Sequence, residues 1–149
     1  MKLLYGFVTA LVVLAVVGAA VLASGSYNVA AISSPGELEK KMAGFAIDRS
    51  VAARAPKTVN PLKPSPDLLR GGLDHYREMC VTCHGAPGVD TSEIGAGLQP
   101  PAPDLSLKRI QARSDGQLFW IVQNGIRMTG MPAFGPTHDE KEIWKIVAF

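Results

Sequence analysis

Charge is missing from the beginning of this chain: after Lys2, no charged residue occurs until Glu37. A segment uncharged over that length does not make the surface of a soluble domain. Cysteine is scarce as well, Cys80 and Cys83 being the two thiols of all 149 residues. Two thiols exclude a multi-bridge disulfide framework and a four-thiolate metal centre. An excess of one charge sign is also lacking. The net charge is +2 and no basic stripe is interleaved with aromatics, so no nucleic-acid partner is expected. No run alternates as a sheet strand does, and no internal repeat is visible.

What is present begins with an apolar run. Leu3 to Ala23 is 21 uncharged, mostly apolar residues; as a helix it spans about 31 Å, against about 30 Å of hydrocarbon. The rival reading is a signal peptide cleaved after Val21-Leu22-Ala23, but such apolar regions are normally about 7–15 residues long. Length favours an uncleaved membrane anchor over residues 1–24. Lys2 then stays cytoplasmic, which places the remainder on the periplasmic side of the cell inner membrane.

Residues 25–64 read as a connector. Glu37–Arg54 places Leu38, Met42, Phe45 and Ala46 at helical spacing, with Lys41 and Arg49 elsewhere on the wheel. The plain reading is a short helix packing lightly on its own domain; the alternative is an amphipathic basic segment on a lipid surface or a partner. Ala55–Pro66 has four prolines in twelve residues and is expected as an extended, stiff spacer rather than packed structure. Residues 37–64 carry six Lys/Arg against three Asp/Glu, and residues 65–149 eight against ten, an asymmetry that bears on docking.

Both thiols lie in EMCVTCHGAPG, Glu78 to Gly88, with His84 directly after the second. A disulfide across so small a loop would remove little unfolded-state entropy. A redox dithiol belongs at a helix N-terminus beside a βαβ pattern, which is lacking. A zinc site needs four ligands, and only His75 and His138 are left to join Cys80, Cys83 and His84; His75, on the same helix as Cys80, would require unusual geometry. The reading that uses all three residues is the haem attachment signature C-x-x-C-H. In it Cys80 and Cys83 form thioethers to the porphyrin edge and His84 is the proximal iron ligand.

Three helices frame the motif over residues 65–149. Ser65-Pro66-Asp67 is a helix start running through PDLLRGGLDHYREMC, where Gly71 and Gly72 each cost about 1 kcal/mol relative to alanine and so call for close approach of another helix. Gly72, Tyr76 and Cys80, at i, i+4 and i+8, then share one face. The partner is PTHDEKEIWKIVAF, capped by Asp139 with Glu142 or Thr137 with Glu140, with Trp144 over the bare glycines. No C-cap follows Phe149, as in a truncated chain. SDGQLFWIVQNG supplies the third helix, from Ser114 with Gln117 to Asn124-Gly125, and Phe119, Trp120 and Val122 as core or haem wall. Gly95–Leu105 is too rich in Gly and Pro for anything but a loop.

A second axial ligand is sought among His75, His138, Met79, Met128 and Met131. Met79 adjoins the attachment motif on the wrong side, and His138 reads as a surface or cap residue. NGIRMTGMPAFG presents two methionines amid glycines that let backbone pass close to a macrocycle. Pro132 forces Met131 into an extended conformation and gives its side chain a defined direction. Met131 is therefore preferred, with Met128 the alternative.

CVTCHG, GLQPPAPDL, NGIRMTGMPAFG and DEKEIWKIVAF, in that order over about residues 66–149, resemble the small bacterial mono-haem class I cytochromes c. The resemblance implies an all-α fold of a few helices around one covalent haem c, with N- and C-terminal helices crossing and the apolar helix of residues 1–24 added. By it, Cys80 and Cys83 hold the haem, His84 and Met131 ligate the iron, and the carbonyl of Pro100 or Pro101 accepts from the His84 ring. It also implies a membrane-tethered carrier of single electrons between redox proteins, with no small-molecule substrate and no catalysis. The alternative is a haem enzyme or gas sensor with a labile sixth ligand. The membrane run, basic connector and abrupt end depart from the pattern.

Overall fold

The computed structural model describes residues 1–86 and 88–149 and divides into two units, Met1–Ser33 and Ser34–Phe149. The first is a single helix, α1 (Lys2–Ala23), and a short turn. With 22 residues, a mean hydropathy of 2.6 and no buried side chain, α1 is long and apolar enough to cross a membrane. Ser24 closes its last turn, the hydroxyl donating to the Val21 carbonyl at 2.8 Å.

The second unit is built from α2 (Glu37–Arg54), α3 (Pro66–His75), a π-helical turn (Tyr76–Cys80), α4 (Val81–His84), α5 (Glu93–Ala96), α6 (Lys108–Gln111), α7 (Asp115–Asn124) and α8 (Glu140–Ala148). Among the described residues there is no strand, only an isolated bridge between Ala86 and Val89. The expected all-α architecture is what forms.

Local chemistry sets the helix starts. Ser65 Oγ accepts the Leu68 N–H at 3.1 Å, and Pro66 stands in the first turn, where its missing N–H leaves no bond unmade. Ser114 with Gln117, and Asp139 with Glu142, form reciprocal capping boxes on α7 and α8.

α3 crosses α8 at the glycines. A Cβ on Gly72 would lie 2.7 Å from the Phe149 Cβ and nearer still to the Lys145 carbonyl oxygen, so only glycine lets the two helices approach this closely. Trp144 was expected over the glycines; Lys145 and Phe149 are there instead. Trp144 is one position round the helix, where it stacks on Phe119 of α7, ring centroids 4.2 Å apart and planes 18° apart. Phe119, Ile143 and Trp144 form the core, with Leu62, Val122 and Val147 against it.

The proline-rich spacer is packed rather than free, a second correction. The Asn60 N–H donates to Asp115 at 2.8 Å, its side-chain amide donates to the Trp144 carbonyl at 2.7 Å, and Leu62 joins the core. Within the segment the Leu62 N–H donates to the Asn60 side-chain oxygen at 3.0 Å, so Asn60 both shapes the turn and ties it to α7 and α8. α2 docks by its C-terminal half: Val51 is 1% exposed, and Arg113 donates to Asp48 at 2.6 Å.

Candidate functional site

The π turn and α4 carry the cysteine motif. In the π turn the Val81 N–H reaches back to the Tyr76 carbonyl, five residues earlier. Cys80 closes this turn, Cys83 and His84 end α4, and all three are half-buried. Gly85 stops the helix at φ 64°, and its carbonyl accepts the Tyr76 hydroxyl at 2.5 Å. From the other side, the Ser92 N–H and hydroxyl both donate to the Thr82 carbonyl at 3.0 Å. A Cβ on Gly95 would lie 2.7 Å from that oxygen and 3.0 Å from the Cys83 Cα, so α5 rests directly on the backbone between the two thiols.

Burial, and then the neighbouring Cys83, push the Cys80 thiol up to about 11. That is the reverse of an activated redox dithiol, whose thiol is lowered toward neutrality. The thiols are unbridged. His75 is engaged elsewhere, with Nδ1 3.1 Å from the Gly71 carbonyl and its ring edge-on to His138 at 5.7 Å. Among the described residues, no three His, Cys, Asp or Glu side chains form a metal-binding group. The zinc and dithiol readings therefore lose their geometry.

His84 carries the most informative contact. Its Nδ1 lies 2.8 Å from the carbonyl oxygen of Pro103. A carbonyl can only accept, so Nδ1 bears a proton and donates, and Nε2 is the ring nitrogen left for another partner. The expectation named Pro100 or Pro101, and Pro103 is the correction. Pro100 and Pro101 are exposed, and after them the loop turns back inward at Ala102 and Pro103. Beyond it the Ser106 hydroxyl first, and then the Ser106 N–H, which donates to Asp104 at 2.8 Å, hold the Asp104 carboxyl below the usual range. Burial first, then Cys80 and Asp104, raise the Tyr76 phenol, which keeps it a neutral donor to Gly85.

The two methionines separate clearly. Met128 is 90% exposed at φ 63°, pointing its chain out through a left-handed turn. Met131 is half-buried, and its backbone is clamped to the end of α7. The Ile126 N–H donates to its carbonyl at 3.2 Å, and a Cβ on Gly125 (φ 65°) would lie 2.7 Å from that oxygen. The Phe134 and Gly135 N–H groups then bond to the Val122 and Gln123 carbonyls. Thr129 braces the turn from within: its hydroxyl donates to Ile126 at 2.7 Å and accepts the Met131 N–H at 3.1 Å.

One loop joins the two halves. Residues 98–105 hold His84 through Pro103 and press Leu98 against Gly130, beside Met131. Val81, Leu98, Leu105, Ile126, Met131 and Phe134 around them are all only half-buried, whereas the fully buried apolar side chains lie at α2, α3, α7 and α8. Apolar side chains left half-covered suit a flat apolar group, and an imidazole held by Nδ1, with Nε2 left for coordination beside two thiols, suits a haem. Pro103 and Thr129 went unnoticed in the sequence, and Tyr76 was placed on a face without its bond to Gly85; the Gly- and Pro-rich loop pointed to the first, and no local signal marks Thr129.

No curated protein matches the chain. Residues 67–149, more than half of it, match the family model described as cytochrome C oxidase, cbb3-type, subunit III, and the chain belongs to that family of c-type cytochrome domains.

Proposed function

We propose that this protein is a membrane-tethered cytochrome c that passes single electrons between redox proteins. Haem-based electron transfer follows from the family itself; attachment, ligands, tether and partners constitute the proposal. Cys80 and Cys83 would hold one haem c through thioethers, and His84, through Nε2, and Met131, through Sδ, would ligate its iron. The haem supplies the Fe(III)/Fe(II) couple, and a thioether ligand raises its potential. The chain does the rest. The Pro103 carbonyl fixes the His84 tautomer and makes the imidazole a better donor. Thr129 and the end of α7 hold the Met131 backbone in place. With His84 and Met131 both ligating, the iron would have no site left for a substrate, so the reading is a carrier and not an enzyme. α1 anchors the chain in the inner membrane, with residues 34–149 on the extracytoplasmic side and redox partners at the membrane.

The observation that carries this reading is the 2.8 Å contact of His84 Nδ1 with Pro103, since it leaves Nε2 available in the residue that follows the two thiols. Covalent attachment is tested by denaturing the matured holoprotein and extracting it with acidic organic solvent. The haem should stay with the polypeptide, and Cys80→Ala with Cys83→Ala should yield protein without it. Complete extraction from the intact protein would overturn the assignment.

A further inference from the structure

Electron carriage leaves one face of α2 unexplained. Leu38, Met42 and Phe45 are 73%, 63% and 69% exposed, and with Arg49 they follow i, i+4, i+7, i+11, a single stripe. Ile47 and Val51, which face the protein, fall on the opposite side of the same helix. Beside the Arg49 end lies a shallow groove between α2 and α6, lined by Arg49, Arg109 and Arg113 together with Asp48, Ile110 and Gln117. Asp48 offsets Arg113; among the described residues Arg49 and Arg109 form no ion pair. Glu37, offset by Lys40 at 2.9 Å, and Glu39 stand to the sides of the stripe.

We propose that this face is a lipid-docking surface: Leu38, Met42 and Phe45 enter the headgroup boundary of an anionic bilayer, and the arginine groove takes a phospholipid phosphate. An exposed apolar stripe that runs into an arginine-lined groove at one end pairs the apolar and cationic surfaces that an anionic interface takes. A coiled-coil partner fits less well, because a seam needs three to four heptads and this one is interrupted by Arg49 after two turns. The inference rests on α1 being a membrane anchor. Ser24–Gly36 then separates α2 from the bilayer by 13 residues, at most about 45 Å of chain, so the lipid surface is always at high effective concentration.

The test places the full holoprotein in lipid nanodiscs and follows amide hydrogen exchange over residues 37–46. Exchange should slow about tenfold when phosphatidylglycerol is included, relative to phosphatidylcholine alone. High salt and the Arg49→Gln, Arg109→Gln variant should each abolish the slowing. The haem absorption spectrum, read in the same samples, reports separately on the cytochrome assignment. Equal exchange in the two kinds of disc would overturn the proposal. So would slowing in detergent that grows with protein concentration, which would assign the face to a second copy. Slowing by inorganic phosphate alone in detergent would likewise overturn it, making the groove a free-anion site.

Discussion

At His84 what matters is the position of a proton. The Pro103 carbonyl places it on Nδ1, and coordination chemistry at Nε2 depends on that placement. The motif itself was legible because C-x-x-C-H is a sequence-local signature, its five positions lying on one turn of chain. Pro103 was not: several loop prolines have equivalent carbonyls, and which one turns inward depends on the path of the loop. Thr129 was hidden for a similar reason, since its two bonds exist only once the loop folds back on α7. Thr129→Val removes a donor to Ile126 and an acceptor for Met131. Denaturant unfolding of the oxidised holoprotein should show a loss of about 1–3 kcal/mol, and exogenous imidazole should displace Met131 more readily than in the parent. Unchanged stability and unchanged imidazole affinity would remove Thr129 from the account.

Among the elements, the α3–α8 crossing depends on a missing side chain. Gly72→Ala sets a methyl against the Lys145 backbone and the Phe149 Cβ, neither of which can swing away. Overpacking of this kind costs about 1–3 kcal/mol or more, outweighing the roughly 1 kcal/mol of helix propensity that alanine brings. Gly44, in the middle of α2, has nothing within 4 Å of a Cβ; Gly44→Ala should therefore stabilise by about 0.5–1 kcal/mol. Thermal unfolding of the pair should move in opposite directions, and a shift of the same sign in both would refute the crossing. The capping boxes of α7 and α8 could be read from sequence because a cap is made within four residues. The π turn could not, since one inserted residue leaves no compositional mark. Trp144 was misplaced because helical periodicity predicts a face but not which of two neighbouring helices meets it.

For the whole molecule, the sequence separated an apolar segment from a haem-binding region but misjudged the connector. Proline content predicts extension correctly and says nothing about docking, which Asn60 and Leu62 bring about through α7 and α8. The proposed tether rests on the length and apolarity of α1. N-terminal sequencing of protein extracted from membranes should find Lys2–Ala23 intact, whereas a mature chain beginning near Ser24 and released by mild salt would make this a soluble carrier. Met131 is proposed to close the iron to added ligands, and carbon monoxide binding to the reduced holoprotein shows whether it does. The parent and Met128→Ala should bind little carbon monoxide and, when oxidised, keep the weak long-wavelength band of a methionine–iron bond; Met131→Ala should lose the band, bind carbon monoxide readily and have a lower potential. Ready binding by the parent, or opening by Met128→Ala in place of Met131→Ala, would contradict the account.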